Sequence, residues 1–594
     1  MKLYHNSRDY NCRSALGAQI CSSKLSIRLF ASYNNLCVTL RTWQGHEKKY
    51  KMKHIEAGCY EANITLPESP CIYWYDFCVE SPSGELVFYG NAYDGLGGEG
   101  SIYSHQPPSF QITVYDKDFM PPEYLRNGIM YQIFPDRFFR THKPKSSRKD
   151  IILHEKWDEL PLVVPDERSG DNTAFDFFGG NLNGIKEKLP YLKDLGVTVI
   201  YLNPIFKARS NHRYDTGNYM QIDPLLGTEE DFKALCESAE ELGIKIILDG
   251  VFSHTGEDSL YFNRYGNYDS IGAYQSKDSP YASWYRFKKF PDKYACWWNI
   301  PTLPEVDKNS PSFQKYILGE KGVARHWLSC GASGWRLDVA DELPMSFLRK
   351  LRTAVKTEKS DSLLLGEVWE DASHKVSYGE MRSYCLGDTL DSVMNYPLRE
   401  AIINFLIGAW DAPHLVRVIL SMQENYPAPF FYSLMNLMGS HDRARTLNVL
   451  CEHEYNSMAH ADRGKMKLDP ATRNVAISRF KKMLDIIISL PGIPCIYYGD
   501  EAGLEGAADP FCRGTFPWNN IDGRMYSIVK NALQMRHQRP VLKSGFMSVS
   551  AEGSNTICIN RYLIDGKDAF GEKIDDEAYM IKITRDRIQK SALP

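Results

Sequence analysis

The first part of the chain alternates short apolar runs with polar positions. Runs such as KLSIRLF and LCVTLRTW place hydrophobic side chains at every second residue, which is the period of a half-buried β-strand. Glycine, asparagine and serine clusters separate these runs, and no convincing helical period interrupts them. The pattern therefore predicts an all-β sandwich over residues 1–115.

The pattern changes after residue 123, where apolar runs alternate with amphipathic helices. A clear unit is LGTEEDFKALCESAEELGIKIILD, in which Thr228 and Asp231 have the spacing of a capping box. Apolar residues then recur at helical spacing, and Gly243 suits the position just after a helix. The run IKIILD that follows is typical of a strand buried on both faces of a parallel sheet.

Seven apolar runs of this kind predict an α/β fold over residues 123–540, namely an eight-stranded (β/α)8 TIM barrel. A doubly wound open sheet is the alternative, but no glycine-rich phosphate loop follows the first run. Residues 255–312 are polar, aromatic and without period, which indicates an insertion after the third strand. Alternation returns later, so residues 541–594 are predicted to form a short C-terminal β-domain.

Composition argues against several classes of protein. The 594 residues carry a formal net charge of −4, whereas nucleic acids and anionic membrane surfaces attract clustered positive charge. No apolar stretch is long enough to span a bilayer, and the N-terminus lacks the apolar segment of a secretion signal. The 14 cysteines form no CxxC pairs, which favours reduced thiols. We expect a cytoplasmic bacterial protein without nucleic-acid or membrane partners.

Charged, histidine and tryptophan side chains follow four of the predicted strands. In sequence order they are Asp249, His254, Arg336, Asp338, Glu367, Trp369, His441 and Asp442. A single strand-end aspartate is ordinarily a helix cap, and a single histidine is ordinarily a hydrogen-bonded core residue. The carboxyl ends of barrel strands, however, meet at one rim, which is where barrel enzymes place their active sites. Four such endings together therefore predict one site.

Several carboxylates without a thiol nucleophile suit glycoside cleavage, in which one carboxylate attacks the anomeric carbon and another protonates the leaving oxygen. Arg336 lies two residues from Asp338, on the same face of a strand, so charge pairing is expected to keep Asp338 ionised as a nucleophile. Glu367 is flanked by Val368 and Trp369, and an apolar setting that raises its pKa suits a general acid.

A metallohydrolase is the rival interpretation of the same residues. His254 and His441, together with the aspartates, would be the metal ligands. The chain has no H-x-H or HExxH spacing to support such a site, so the sequence favours the glycosidase.

The segments DGVFSH, GWRLDVADEL, GEVW and MGSHD resemble, in order and spacing, the four signature regions of the α-amylase superfamily, glycoside hydrolase family 13. MYQIFPDRF, FFGGNLNGI and SNHRYDTGNY are similar to the same family. The N-terminal β-sandwich, starch-binding-like in this comparison, and YACWWNIPTLPEVD resemble the neopullulanase, cyclomaltodextrinase and maltogenic amylase branch.

The resemblance implies a role for each candidate residue. Asp338 would be the nucleophile, Glu367 the acid/base, and Asp442 a third acid that grips sugar hydroxyls. The expected substrate-binding set is His254, Arg336, His441, Tyr214, Asp215, Trp369 and Asp249. In the family, the residue that matches Tyr214 stacks on the sugar, and the one that matches Asp249 mainly supports the site.

Some positions depart from the family pattern. Ser253 and Asn181 stand where relatives carry calcium-associated side chains, so no cofactor is expected to be required and a structural calcium ion is not favoured. Glu305, Asp307 and Glu370 replace residues typical of the branch, which leaves linkage and chain-length preference open. The C-terminal β-domain is also shorter than the resemblance implies, through either truncation or reduction.

These observations predict a retaining hydrolase of α-1,4 glucosidic bonds, and also of α-1,6 bonds if the site accepts them, in maltooligosaccharides, cyclodextrins or pullulan. An exo-acting α-glucosidase or oligo-1,6-glucosidase is the enzymatic alternative. A non-catalytic glucan-binding relative is disfavoured because the three acids are present. The branch also implies a homodimer formed through the N-terminal β-sandwich.

Overall fold

The computed structural model describes residues 1–56, 58–143, 145–164, 173–451 and 460–585. Its first eleven strands are β1 Leu3–Tyr4, β2 Gln19–Ile20, β3 Lys24–Ala31, β4 Cys37–Gln44, β5 His46–Lys51, β6 Lys53–Glu56, β7 Cys59–Thr65, β8 Cys71–Glu80, β9 Leu86–Gly90, β10 Ser101–Tyr103 and β11 Phe110–Tyr115. They form two sheets, ordered β1-β3-β7-β6 and β10-β9-β8-β11-β2, with β4 joining the second sheet between β8 and β5.

The alternation seen in the sequence packs these two sheets face to face. Leu25 and Ile27 of β3 and Val38 and Leu40 of β4 are buried, whereas the residues between them are more exposed. All four belong to one apolar core, to which both sheets contribute. The β-rich N-terminal region is therefore a sandwich.

A parallel sheet of eight strands forms the barrel. The barrel strands are β12 Met130–Ile133, β15 Val199–Leu202, β18 Lys245–Gly250, β21 Gly334–Leu337, β22 Leu363–Gly366, β25 Ser392–Val393, β26 Met435–Leu437 and β27 Ile493–Tyr497. They are ordered β25-β22-β21-β18-β15-β12-β27-β26 among the described residues, and a parallel bridge between Met394 and Met435 joins the two edges. The predicted barrel is confirmed.

Helices surround and connect the barrel strands. They are α1 Glu123–Asn127, α2 Pro135–Phe138, α3 Leu182–Glu187, α4 Leu189–Leu195, α5 Glu229–Glu241, α6 Pro311–Leu318, α7 Val323–Ser329, α8 Met345–Glu358, α9 Tyr396–Ile407, α10 Ala412–Asn425, α11 Ala428–Phe431, α12 Thr446–Val449, α13 Pro470–Ser489, α14 Gly523–Gln538 and α15 Pro540–Ser544. The expected capping box begins α5, where Thr228 and Asp231 bond each other's backbone N–H groups. None of the described helices is long and apolar enough to cross a membrane.

Short strands and 3-10 helices lie in the segments that connect the barrel elements. The short strands are β13 Ile152–Leu153, β14 Asp176–Phe177, β16 Phe206–Ala208, β17 Thr216–Ile222, β19 Phe287–Lys289, β20 Lys293–Tyr294, β23 Val376–Ser377 and β24 Glu380–Met381. The 3-10 turns are Ala282–Trp284, Trp297–Asn299, Ala340–Glu342, His460–Lys465 and Phe511–Arg513. The irregular segment 255–312, which follows β18, includes β19, β20 and two of these turns.

The last described strands form an antiparallel sheet beside the barrel. They are β28 Phe546–Glu552, β29 Thr556–Tyr562 and β30 Tyr579–Thr584. Met547, Val549, Ile557 and Ile559 of this sheet belong to the same apolar core as the barrel helices. This sheet therefore packs against the barrel and shares one apolar core with it.

Candidate functional site

The candidate residues converge at the carboxyl rim of the barrel, around a cavity of about 570 Å³. The predicted residues that line this cavity are Tyr214, Asp215, His254, Asp338, Glu367, Trp369, His441 and Asp442. Asp249 and Arg336, the remaining two, are buried and bonded to the lining residues from within the barrel. The four strand endings thus form one site.

Arg336 is the centre of the carboxylate cluster. Its Nη1 donates to Asp249 Oδ1 at 2.8 Å and to Asp338 Oδ1 at 2.9 Å. Its Nη2 lies 2.8 Å from Glu367 Oε2, although the pair lacks hydrogen-bond alignment. One fully buried cation therefore contacts three carboxylates.

The fold adds a contact that the sequence did not indicate, because β21 and β22 are neighbours and bring Arg336 to Glu367. One expectation about this cluster is wrong: pairing with Arg336 does not keep the pKa of Asp338 low. Burial raises that pKa well above its ordinary value, and Glu367, Asp249 and Asp442 raise it further, against the lowering effect of Arg336.

The same balance applies to the other acids of the cluster. Burial raises the pKa of Glu367, with Arg336 acting in the opposite direction. Burial likewise raises the pKa of Asp249 and of Asp442. The four carboxyl groups are buried with few cations, so ionising all of them together would cost much free energy. The cluster therefore keeps bound protons at a higher pH than isolated carboxyl groups would.

The backbone at Val339 connects the two central acids. Val339 has φ 38° and ψ 64°, a left-handed conformation that costs energy for a β-branched residue. In this conformation its N–H donates to Glu367 Oε2 at 2.8 Å. The strained turn thus follows Asp338 directly and also positions Glu367.

A chain of hydrogen bonds fixes His441 and Tyr214. Gln132 Nε2 can only donate, so His441 Nδ1 accepts from it at 2.8 Å and the ring proton resides on Nε2. His441 Nε2 then donates to Tyr214 Oη at 2.6 Å, and Tyr214 donates to Asp249 Oδ2 at 3.0 Å. Burial lowers the pKa of His441 well below its ordinary value, so the ring is neutral. This chain of bonds orients the Tyr214 ring that lines the cavity.

His254 presents a buried ring nitrogen for which the described residues supply no aligned hydrogen-bond partner. Its Nδ1 bonds Ser253 Oγ at 2.8 Å, while Nε2 is buried without an aligned hydrogen-bond partner in the described structure. Burial lowers the pKa of His254 to about 3, so the side chain is neutral. A neutral imidazole in a cavity wall suits a hydroxyl group of a ligand.

The remaining predicted residues occupy the cavity wall. Asp442 faces Arg513, whose Nη2 lies 3.4 Å from Asp442 Oδ1. Trp369 stacks on Tyr396 with ring centroids 4.1 Å apart, which fixes the indole plane. Burial raises the pKa of Asp215 to about 6, and its carboxyl group accepts from the Ser210 hydroxyl and the Ser210 backbone N–H.

Several contributing residues escaped the sequence analysis. Gln132 lies in β12, Tyr201 in β15 and Asn203 just after β15, and Tyr201 donates to Asp249 Oδ2 at 2.6 Å. Arg513 is the last residue of the 3-10 helix Phe511–Arg513, which follows β27. The available signal was a buried polar residue inside an apolar run, as in MYQIF, because such a residue needs a hydrogen-bond partner.

The residues at the calcium-associated positions do not fit a calcium site. Asn181 Oδ1 accepts from Gly184 N at 2.7 Å as the cap of α3, and Ser253 Oγ is bonded to His254. Convergent metal-ligating atoms occur among the described residues at Glu229, His326 and Cys330, none of which lines the cavity. Nitrogen and sulfur are not the oxygen ligands that calcium prefers.

Comparisons with known proteins agree with this geometry. Residues 132–541 match the family model "Alpha amylase, catalytic domain". The chain is 38% identical to an amylopullulanase of Thermoanaerobacterium saccharolyticum, covering 98% of this chain and 48% of that protein. It is 32% identical to neopullulanase 2 of Thermoactinomyces vulgaris, covering 79% of this chain and 72% of that protein.

Solved structures show the same likeness. The cyclic α-maltosyl-(1→6)-maltose hydrolase of Arthrobacter globiformis, solved with that cyclic sugar, aligns with a TM-score of 0.63 at 31% identity, covering 75% of this chain and 90% of that one. The chain spans between 33% and 48% of the length of the three amylopullulanases it matches.

Proposed function

This chain belongs to the α-amylase family, and on that premise we propose that it is a retaining hydrolase of α-glucans. Asp338 is the nucleophile, Glu367 the acid/base and Asp442 the third acid of this proposal. The observation that carries it is the contact of Asp338 and Glu367 with one guanidinium, which brings two carboxyl groups together at the rim of the barrel.

The hydrogen bonds suggest which acid carries the proton. Asp338 receives an aligned bond from Arg336 at 2.9 Å, whereas Glu367 lacks that alignment with Arg336 and receives neutral donors, the Val339 N–H at 2.8 Å and the Trp369 side chain. A charged, aligned donor favours the ionised form of its acceptor. Within a cluster that retains protons, Asp338 is therefore the better nucleophile and Glu367 the better acid.

The reaction then proceeds in two displacements. Asp338 attacks the anomeric carbon as Glu367 protonates the glycosidic oxygen, which breaks that bond and forms a glycosyl ester on Asp338. Glu367, now ionised, takes a proton from water, and the resulting attack on the anomeric carbon releases Asp338. Two inversions leave the α-configuration in the product.

The wall residues are proposed to hold the sugar whose bond is cleaved. Tyr214 offers a ring held by hydrogen bonds to Asn203, Asp249 and His441, and an aromatic face suits the C–H face of a sugar. His254 Nε2, which has no aligned partner among the described residues, bonds one sugar hydroxyl. Asp442, whose carboxylate is held by Arg513, accepts hydrogen bonds from other hydroxyls of the same sugar. Trp369 would face the leaving group.

Substrates with α-1,4 and α-1,6 bonds are proposed from the relatives. The amylopullulanases, the neopullulanase and the cyclic maltosyl-maltose hydrolase carry names that refer to glucans of this kind. Because the chain covers under half of the amylopullulanases, their full substrate range is not assumed.

A product profile tests the proposed function. Purified protein is incubated with pullulan, β-cyclodextrin, maltotriose and isomaltose, and the products are identified by chromatography. We expect maltooligosaccharides from β-cyclodextrin and panose or maltotriose from pullulan. Release of glucose alone from chain ends would favour the exo-acting α-glucosidase, and no product from any substrate would overturn the proposal.

We also propose the assembly and organisation expected from the sequence. The protein forms a homodimer through the N-terminal sandwich and is located in the cytoplasm. Its domains span residues 1–115, 123–540 and 541–594. The 14 free cysteines support a reducing compartment. Light scattering tests the dimer, and a monomer at micromolar concentration would contradict it. Cell fractionation tests the location, and limited proteolysis tests the boundaries.

A further inference from the structure

Three side chains that can each bind a metal ion meet on two helices that surround the barrel, outside the cavity of the candidate site. Glu229 is the first residue of α5, His326 lies in α7, and Cys330 follows the last residue of α7. They offer a carboxylate oxygen, an imidazole nitrogen and a sulfur, and these ligand atoms all lie within 4.8 Å of one another. These three residues, called the α5–α7 cluster below, therefore combine three types of metal ligand at one place.

The distances within the α5–α7 cluster are close to those around a tetrahedral zinc ion. Glu229 Oε2 lies 3.0 Å from His326 Nε2, and Cys330 Sγ lies 3.7 Å from the same nitrogen. The other carboxylate oxygen, Glu229 Oε1, also lies 3.7 Å from Cys330 Sγ. Zinc bonds of about 2.0–2.1 Å to nitrogen and oxygen and of about 2.3 Å to sulfur place tetrahedral ligands roughly 3.3–3.6 Å apart. Small side-chain rotations therefore suffice to surround an ion.

The combination of ligand atoms selects the kind of ion. Calcium and magnesium prefer sites made of oxygen atoms alone, whereas thiolate and imidazole groups are ligands of zinc and of neighbouring transition metals. The sulfur, the nitrogen and one carboxylate oxygen fill three positions of a tetrahedron, and a water molecule can fill the fourth. The α5–α7 cluster thus suits Zn²⁺.

Packing between the two helices holds the ligands near each other before an ion binds. His326 and Cys330 are four residues apart, a spacing that places both side chains on one face of a helical turn. Trp327, which is buried between α5 and α7, packs edge-on against Phe232 of α5 with ring centroids 5.6 Å apart. This aromatic contact fixes α7 against the first turns of α5, where Glu229 lies.

The α5–α7 cluster is accessible from solvent, and its present contacts can give way to an ion. The side chains of Glu229 and His326 are 31% and 27% exposed. Lys233 donates to Glu229 Oε1 at 2.7 Å and so competes for the carboxylate, but its side chain is 43% exposed and can turn into water. An exposed ion pair of this kind contributes little to stability, so its loss opposes metal binding only weakly.

Metal binding replaces two protons of the α5–α7 cluster. Burial raises the pKa of Cys330 to about 11, so the side chain is a thiol before an ion binds. His326 Nε2 donates to the Glu229 carboxylate, which can only accept. When the ion binds, the thiol proton passes to solvent and the imidazole proton moves to Nδ1, so the sulfur and Nε2 each present a lone pair to the ion.

We propose that Glu229, His326 and Cys330 form a binding site for Zn²⁺ that joins α5 to α7. Helix α5 leads into β18, which carries Asp249, and α7 leads into β21, which carries Arg336. The ion therefore stabilises the side of the barrel from which these two strands reach the catalytic site. Binding at this site needs neither glucan nor hydrolysis, so its test is independent of the proposed function.

Cobalt is the spectroscopic probe for the site. Protein freed of metal with a chelator is titrated with Co²⁺, which takes the place of Zn²⁺ in tetrahedral sites and gives a near-ultraviolet charge-transfer band when a thiolate binds it. We expect one Co²⁺ per chain with this band, and loss of the band on addition of Zn²⁺. Cys330→Ser should abolish the band, and His326→Ala should weaken Co²⁺ binding by about tenfold or more. Cys37→Ser, which removes an exposed cysteine of β4, is the control that should keep both.

Thermal unfolding tests whether the ion joins the two helices in the folded protein. We expect Zn²⁺ in excess to raise Tm by about 2 °C or more in the unmodified protein and in Cys37→Ser, and to leave Tm of Cys330→Ser unchanged. Mg²⁺ should have no effect on any of the three. Absence of the thiolate band, a band that persists in Cys330→Ser, or an increase in Tm that does not depend on Cys330 would each overturn the site. Hydrolysis enters neither measurement, so a failure of the proposed function would leave these outcomes unchanged.

Discussion

At the scale of single residues, the site contains more buried acidic groups than cations to pair with them. Arg336 contacts Asp249, Asp338 and Glu367, and Arg513 reaches Asp442 at 3.4 Å. Burial of more acids than cations raises the carboxyl pKa values, which destabilises the folded protein once these groups ionise. The acids that catalysis requires therefore lower the stability of the folded protein.

Neutralising Asp338 should stabilise the protein while removing activity. A carboxyl group whose pKa is raised in the folded state favours folding at pH values below its unfolded pKa of about 4, and this contribution is lost as pH rises through the folded pKa. We expect Asp338→Asn to raise Tm by about 1–3 °C at pH 7 and to change it less at pH 4. Thermal unfolding followed at both pH values measures this.

The control for that prediction is an acid outside the cluster. Asp150 has its pKa lowered to about 2 by Arg148, so Asp150→Asn should lower Tm slightly or leave it unchanged. A lower Tm for Asp338→Asn at pH 7 would contradict the account of the cluster as a source of instability.

At the scale of elements, several barrel strands each deliver one or two polar residues to the site. β18 carries Asp249, β21 carries Arg336, and the residues after β21 and β22 are Asp338 and Glu367. β12 contributes Gln132, whose Nε2 donates both to Asn203 beyond β15 and to His441 beyond β26. A single interior side chain thus links three strands.

Gln132→Met should impair catalysis more than stability. Methionine keeps the volume but cannot donate, so the proton of His441 is no longer confined to Nε2, and Tyr214 loses the His441 donor while it keeps that of Asn203. We expect kcat/KM to fall about tenfold or more, with Tm lowered by only a few degrees. NMR of the ring nitrogens should show a change of tautomer. A loss of activity without that change would indicate a merely structural role.

Periodicity was sufficient to predict the barrel but not every strand. β25 is only Ser392–Val393, too short to show any period, and it was missed. The rim residues were predictable because they end apolar runs. Gln132 and Arg513 were harder to assign, since their partners His441 and Asp442 lie 309 and 71 residues away in the sequence, and such separations leave no local pattern of pairing. The balance of pKa values likewise depends on neighbours that only the fold brings together.

At the scale of the whole molecule, the N-terminal sandwich is attached to the barrel through buried charge. Glu424 of α10 bonds Arg8 Nε at 2.7 Å and lies 3.8 Å from Arg13, which is fully buried. Thr113 of β11 also donates to the backbone oxygen of Asn425 at 2.5 Å. These contacts fix the sandwich against the barrel.

Glu424→Gln should weaken this attachment strongly, because it leaves the buried charge of Arg13 without a counterion. We expect the free energy of unfolding to fall by about 3 kcal/mol, as breaking a buried pair typically does. Chemical denaturation followed by tryptophan fluorescence measures the change. Asp94→Asn, which breaks the exposed Asp94–Arg417 pair across the same interface, should cost less than about 1 kcal/mol. Equal effects of the two variants would contradict a role for burial.

In the proposed mechanism, Asp338 forms a glycosyl ester during turnover. A slowly released fluorinated α-glucosyl fluoride is added to the protein, which is then digested and analysed by mass spectrometry. We expect one sugar adduct per chain on the peptide that contains Asp338, and no adduct in Asp338→Asn protein. An adduct on another residue, or hydrolysis that yields the β-anomer first without any adduct, would contradict it.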